Sequence, residues 1–438
     1  MTDYKHTDYI NDFSLKHRSM RTGGIGRLQC LTYIPVLPGD LIEISMKSLF
    51  RLSALRRFLI TDAVIDIFAF YQPYRHFYDQ DFIDFIKDGR DETYTFPTYT
   101  TTSPQHYLPY IVNGNTIPQH LLGGYNRIWN EYFRLPSDTA SILADNAQIL
   151  EATDSEGRKS GRLIGRLKKP WTTPNQGTRA TATDRQISVD ETGGAGTHHI
   201  DLLDIEQVKA EYRLDLERDW ETARYRDIIK RTWGGYANPD VDQRPTLLSR
   251  KSYPLSGYDI DGSSGSEFGS YTGKGLGDNT FYIPRKFIPE HGFIMLMATV
   301  RFPTMHIDET HPLLVNTNPN YLTLAGDPKL VAEEPPADLV TSDWLKGQTD
   351  FVAGEIPFGQ FYRFQPDCLD QRMEELQGFP FLYGQYTSYE QIVYHQQTDY
   401  QNVFESNQLG NWQSQSLINC AVKRRYPTTR QSIYAGTR

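Results

Sequence analysis

Two stretches of this chain are apolar on both of their alternating faces. Ala63 to Tyr71 is mostly β-branched or aromatic, and Phe293 to Phe302 reads Phe-Ile-Met-Leu-Met-Ala-Thr-Val-Arg-Phe. Successive side chains of a strand point to opposite sides of its sheet, so a strand with two apolar faces has to be covered on both. Each is therefore expected as a central strand. On the first, Val64, Asp66, Phe68 and Phe70 share a face, and a lone carboxylate among them needs a donor such as Arg56 or Arg57. Pro73 ends this ladder and Pro303 the second. After Pro73 a helix is expected, capped by Asp79, with Phe82, Ile83, Phe85 and Ile86 on its apolar side and Gly89 as its stop.

Weaker strand signals surround these two. Leu28 to Ile34 and Asp40 to Ile44 flank the Pro35 to Gly39 turn and read as a pair of strands. Phe281-Tyr-Ile is strand-like, and Leu417 to Tyr426 alternates, with Ile418, Cys420 and Val422 facing one way and Lys423 and Arg425 the other. A helical period predicts one helix through Ile117, Leu121, Tyr125, Ile128, Trp129 and Phe133, with Pro118 in its first turn and Pro136 at its end. A second candidate runs from Ile205 to Trp233, closed by Gly234 and Gly235, and 138–196 between them reads as an exposed loop.

Residues 1–24 are polar, end in Gly23 and Gly24, and are expected as an extended arm that orders against a partner. The remainder, 25–438, reads as a single mainly β domain. Its sandwich comes from about 26–100, 266–303 and 416–427, interrupted by two insertions at approximately 101–265 and 304–415, with helices confined to the first. Short junctions in some places and very long ones in others suit an antiparallel Greek-key or jelly-roll sandwich.

Composition narrows the partners. With 438 residues the chain exceeds the roughly 250–300 at which one core stops growing, which fits a core with large additions. Acidic residues outnumber basic ones by 54 to 45, giving a net charge of -9, which argues against a polyanion binder over the whole surface and leaves a local basic patch open. Cys30, Cys368 and Cys420 are far apart and form no Cys-x-x-Cys pair, so reduced thiols are expected rather than a disulfide framework or a zinc site. The first thirty residues lack the apolar core of a signal peptide, and no stretch reaches the roughly 18 apolar residues that span a bilayer. No membrane insertion is expected.

The best chemical candidate is the basic cluster Arg158, Lys159, Arg162, Arg166, Lys168 and Lys169, followed by Trp171. It combines phosphate-neutralising charge with a ring able to stack on a base, against the plainer reading of a solvated loop. Lys423 and Arg425 form a second candidate, against a salt bridge to a neighbour. Asp259-x-Asp261-Gly262-Ser263 begins like a calcium loop but has Ser270 where an EF-hand carries glutamate, so a tight polar turn is expected. Gly273-Lys-Gly-Leu-Gly277 lacks the ending of a phosphate loop and is expected as a flexible loop. His198 and His199 read as solvated, and His76 and His291 as packing and hydrogen-bonding residues. No cofactor or metal is expected.

Several ordered stretches are shared with a known family: Arg51-Leu-Ser-x-Leu-Arg-Arg57, Val64-x-Asp-Ile-Phe-x-Phe-Tyr71, Arg75-His76, Phe85-x-Lys-Asp-Gly89, Ile117-Pro-x-His-Leu121 and Ser256-Gly-Tyr-Asp-x-Asp-Gly262. Further along come Pro289-Glu-His-Gly292, Val300-Arg-Phe-Pro303, Ala325-Gly-Asp-Pro328, Gly378-Phe-Pro-Phe381 and Pro427-Thr-Thr-Arg-x-Ser-Ile433. On these the chain resembles the major capsid proteins of Microviridae, the tailless single-stranded-DNA phages of the phiX type, over nearly its whole length. The resemblance implies an eight-stranded antiparallel jelly roll with two long loop and helix insertions. It implies a non-enzymatic subunit of a T=1 icosahedral shell around a circular single-stranded DNA genome, made in the bacterial host cytoplasm and resident in the virion. Implied partners are copies of itself in pentamers, a spike protein, internal and external scaffolding proteins, a small basic DNA-packaging protein, the genome, and a host-surface lipopolysaccharide sugar. The competing reading is a soluble carbohydrate-binding jelly roll or a glycosidase.

Overall fold

The computed structural model describes residues 10–55, 62–78, 95–100, 107–109, 116–134, 143–145, 147, 161–162, 244–261, 271–303, 338–340, 354–356, 404 and 410–425. They form β1 (Ile10–Gly23), β2 (Gln29–Val36), β3 (Leu41–Leu52), β4 (Ala63–Pro73), the short β5 (Thr98–Thr100) and β6 (Thr116–Pro118), and helix α1 (Gln119–Ile128). Then come β7 (Thr246–Asp261), β8 (Tyr271–Phe287), β9 (Gly292–Arg301), the short β10 (Asp338–Val340) and β11 (Gly354–Ile356), and β12 (Trp412–Arg425).

Eight strands follow one hydrogen-bonded order, β1-β12-β3-β8-β7-β4-β9-β2, and every neighbouring pair is antiparallel. The order folds over into two four-stranded sheets, β1-β12-β3-β8 and β7-β4-β9-β2. From β1 to β4 the chain alternates between the two, so β2 and β3 are joined by a tight turn yet lie in different sheets. That is the jelly-roll sandwich expected. Gly39 makes the turn with φ +82°, and Asp40 Oδ2 accepts from the Leu37 N–H at 2.8 Å.

The side chains follow the pleat. Ile42, Ile44, Met46, Phe50 and Leu52 of β3, and Trp412, Ile418, Cys420 and Val422 of β12, are buried between the sheets. They meet Ile65, Ile67 and Ala69 of β4 and Ile294, Leu296, Ala298 and Val300 of β9. The opposite faces of β4 and β9 carry Phe68, Phe70, Phe293, Met295 and Met297, which pack in a second apolar layer with Leu121, Leu122, Tyr125, Ile128 and Trp129 of α1 and the turn after it. Both central strands are thus covered on both faces, as their patterns demand. On that second face Asp66 is paired with Arg301 of β9, while Arg56 and Arg57 lie outside the described residues.

α1 answers to the first helical period, with Pro118 as its N-cap, and it runs on into a π-helical turn, Trp129–Phe133. Asn126 Nδ2 donates to the carbonyls of Ala144 and Ala147, each at 2.9 Å, which fastens the following segment to the helix. The helix predicted after Asp79 and the one from Ile205 to Trp233 lie outside the described residues.

Three segments depart from expectation. Residues 10–23 are extended, but the partner they order against is their own chain, since β1 pairs with β12 from Ile10↔Arg425 to Gly23↔Trp412. Thr246–Asp261 falls within the first predicted insertion, yet it is a core strand, pairing with β4 in its first part and β8 in its second. Of Thr246 to Ser256 only Leu255 is fully buried, so the alternation is too faint to read. The glycine run Gly273–Gly277 is not a loop but part of β8. A Cβ at Gly275 would stand 2.5 Å from Leu52 Cδ1, so glycine lets β8 pass close where the two sheets meet.

Candidate nucleic-acid interface

The outer face of the β7-β4-β9-β2 sheet lies under α1, whereas the outer face of β1-β12-β3-β8 carries exposed polar side chains. Strand parity selects what is displayed there. Ile10, Asp12, Ser14, Lys16, Arg18 and Met20 of β1 point outward, as do Glu43, Lys47 and Arg51 of β3 and Leu417 and Lys423 of β12.

Lys423 stands on this outward face, as its alternation predicts. Its Nζ lies 3.7 Å from Asp12 Oδ1 on β1, so the neighbouring salt bridge weighed as the alternative is present in the geometry. Arg425 opposes Ile10 in the ladder, and its side chain is outside the described residues. Arg424 between them points the other way: it donates from Nη2 to Asp40 Oδ2 at 2.7 Å and from Nε to Oδ1 at 3.0 Å, holding the β2–β3 turn.

Of the basic cluster, Arg162 alone is described. Its backbone N–H donates to Tyr125 Oη at 2.8 Å, its carbonyl accepts from the Leu28 N–H at 2.9 Å, and its guanidinium lies 5.4 Å from the centre of the Trp129 ring. It is fastened to α1 and to the start of β2 rather than carried on a solvated loop. Arg158, Lys159, Arg166, Lys168, Lys169 and Trp171 lie outside the described residues, as do His198 and His199.

The sequence pattern did not single out Lys16, Arg18, Lys47 and Arg51. All four are exposed, and none has an ion-pair partner among the described residues. Arg18 and Lys47 face each other across Leu417 of β12, and Lys16 stands opposite Asn419. The alternation Ile42, Ile44, Met46, Ser48, Phe50 in β3 is a signal that places Lys47 and Arg51 outward. β1 gives only a weak one, because beyond Phe13 and Leu15 its inward positions His17, Ser19 and Arg21 are polar. His17 Nε2 meets Thr32 Oγ1 at 2.8 Å, Ser19 Oγ donates to the Leu31 carbonyl at 2.6 Å, and Arg21 Nη1 donates to the Leu108 carbonyl at 2.9 Å.

A polar cluster sits inside the second apolar layer. His120 Nδ1 is 2.6 Å from Tyr78 Oη and its Nε2 is 3.1 Å from Tyr33 Oη, which in turn is 2.6 Å from Tyr74 Oη. Burial lowers the His120 imidazole to about 4. The rings of Phe96 and Phe293 close over it, which makes it a packed network rather than an open catalytic centre. His76 is buried with its ring edge-on to Phe77, and at His291 the backbone carbonyl accepts from the Tyr74 N–H at 2.9 Å. Among the described residues no group of three His, Cys, Asp or Glu is placed to hold a metal ion. Asp259 and Asp261 are strand residues of β7 paired with Gly273 and Tyr271.

A family model described as capsid protein (F protein) matches residues 7–180 and 171–434 of the chain. The chain belongs to this capsid protein F family. It is 36% identical over 424 residues to capsid protein F of Escherichia phage G4, covering 96% of each chain. Capsid protein F of Escherichia phage alpha3 is 33% identical and that of Enterobacteria phage phiK 32%, again with 96% of each chain covered. Capsid protein F relatives are structural proteins of virions rather than enzymes, which leaves the glycosidase alternative without support. No described helix is long and apolar enough to cross a membrane.

Proposed function

We propose that this chain is the major shell subunit of a small single-stranded-DNA phage, self-assembling with internal and external scaffolding proteins and a spike protein into an icosahedral shell. The observation that carries the reading is the match to three capsid proteins F over 96% of both chains, joined to a jelly-roll sandwich. A sandwich is a rigid block, and the long sequence intervals between β4 and β7 and between β9 and β12 supply surface for neighbouring copies and other partners. On this reading the chain is made in the host cytoplasm, and the finished shell encloses a circular single-stranded genome with a small basic packaging protein. Contact with a host lipopolysaccharide sugar would belong to its outer surface.

Genome contact follows from charge. An acidic chain around DNA has to turn some of its basic residues inward, because phosphates reward Lys and Arg by Coulomb attraction and counterion release. The basic cluster Arg158 to Lys169 with Trp171, together with Lys423 and Arg425, is proposed to do so. Co-expression with scaffolding and spike proteins followed by electron microscopy tests the reading, and closed shells of uniform size are expected. A monodisperse monomer under those conditions, with turnover of a glycan, would overturn it.

A further inference from the structure

We propose that the outward face of the β1-β12-β3-β8 sheet is a track for the phosphates of single-stranded DNA, with Lys16, Arg18, Lys47 and Arg51 as its cations. The proposal rests on the capsid reading and goes beyond it by naming the face and the residues. Two of the carboxylates on this face are already engaged: Asp12 with Lys423, and Glu43 with Arg285 at 3.6 Å and with the Tyr282 hydroxyl at 3.0 Å. The four cations are not, among the described residues, although the chain as a whole carries nine more negative than positive charges. In a chain with spare carboxylates, a solvated face would more readily mix its signs. Four exposed cations on two strands, flanking the polar and aliphatic residues of β12 and outnumbering the exposed Asp278 of β8 opposite Leu49, form a net positive surface awaiting an anion.

The spacing is fixed by the sheet. Neighbouring strands lie about 4.8 Å apart, so Arg18 and Lys47, one on each side of Leu417, are held roughly 10 Å apart, and Lys16 stands about 7 Å along β1 from Arg18. Between the cations lie neutral hydrogen-bonding groups, Asn419 and Gln413 on β12 and Ser45 on β3, and exposed aliphatic surface from Leu417 and Met20, 49% and 71% exposed. That mixture suits a single strand, which offers phosphates to the cations and base faces to the apolar patches. At one end, beside Arg51, the face dips into a concavity of about 430 Å³ bordered by Met20, Thr22, Leu49, Gln413 and Gln415, within the size range of small-ligand sites. With flat sheet and long flexible cations, no base-edge code is expected.

The test measures binding of a fluorescent oligothymidylate to the purified full-length chain over a series of salt concentrations. The variant K16Q/R18Q/K47Q/R51Q, with all changes at exposed positions, is expected to keep its unfolding midpoint. Its log-log salt dependence should flatten by about 3, from roughly 0.7 for each phosphate no longer neutralised. Should the quadruple variant fail to fold, K47Q and R51Q singly should each flatten it by about 0.7. Unchanged affinity and slope in folded variants would overturn the track while leaving the capsid reading intact, because shell formation is scored separately. Oligoglutamate competing as well as the oligonucleotide, with the same four residues responsible, would make the occupant an acidic polypeptide and also overturn it. Failure of the parent chain to form shells with its scaffold would instead strike at the capsid reading itself.

Discussion

Arg301 of β9 donates through Nε to Asp66 Oδ2 of β4 at 2.6 Å, one strand away and at the edge of the aromatic layer beneath α1. Ser252 of β7 donates to the other carboxylate oxygen, so Asp66, only 3% exposed, ties three adjacent strands together. Taking Arg301 away leaves that buried charge with only the half-exposed Arg250 guanidinium, 3.9 Å from Oδ1, as a counter-ion, which costs toward the low end of about 3–5 kcal/mol. Arg301→Leu is therefore expected to lower the urea midpoint sharply. Asp66→Leu with Arg301→Leu should recover most of the loss, because the buried charges then go together. Equal midpoints for the single and double variants would refute this account.

Lys423 and Arg424 are adjacent, yet their removal should have very different consequences. The Lys423 pair with Asp12 is exposed and contributes at most about 1 kcal/mol. Arg424 is bonded to Asp40, 1% exposed, at the turn between β2 and β3, and breaking a buried pair costs about 3–5 kcal/mol. Thermal unfolding of Lys423→Ala and Arg424→Ala should separate them clearly.

His120 gives the fold an acid sensitivity. Its imidazole is held neutral by burial, with a folded value of about 4 against an ordinary 6.5, and the hydroxyls of Tyr33, Tyr74 and Tyr78 around it carry no charge to offset a proton. The unfolded chain then binds the proton more readily, so stability is complete above about pH 6.5 and falls as the pH drops toward 4, by up to about 3 kcal/mol. A melting series from pH 7 to 4.5 on His120→Gln should show a shallower decline than the parent, even if the variant starts lower.

For the basic cluster, Lys168→Ala with Lys169→Ala should weaken genome retention without preventing shell formation, flattening the salt dependence by about 1.4 if both touch phosphate. Genome content of purified particles after a salt wash reads this out. Particles that keep their DNA as the parent does would remove that cluster from the interface.

What was legible in the sequence was what burial imposes twice. β4 and β9 announce themselves because the sandwich covers one face and α1 the other, and α1 because its apolar positions recur at helical spacing. β1 was illegible as a core strand because His17, Ser19 and Arg21 face inward and are satisfied by hydrogen bonds rather than by apolar contact. β7 was hidden by exposure, and the glycines of β8 suggested a loop when their function is close approach beside Leu52 and Leu255. The same blindness reached the interface: without β1 as a strand, nothing aligned Lys16 and Arg18 with Lys47 across Leu417. Asp66 was correctly read as an ion-pair partner, but its donor comes from a strand more than two hundred residues away, a distance that no local pattern crosses.

The pairing of β1 with β12 also sets a clock. The ladder partner of β1 is made roughly 400 residues after it, which at about 5–20 residues per second is a wait of some 20 to 80 s. Throughout that interval β3 lacks a neighbour on one side as well, since β12 is the strand that fits between the two. Completion of this sheet therefore waits on the synthesis of β12, and any companion that shields β1 and β3 in the meantime would raise the yield of folded chain without touching its final stability.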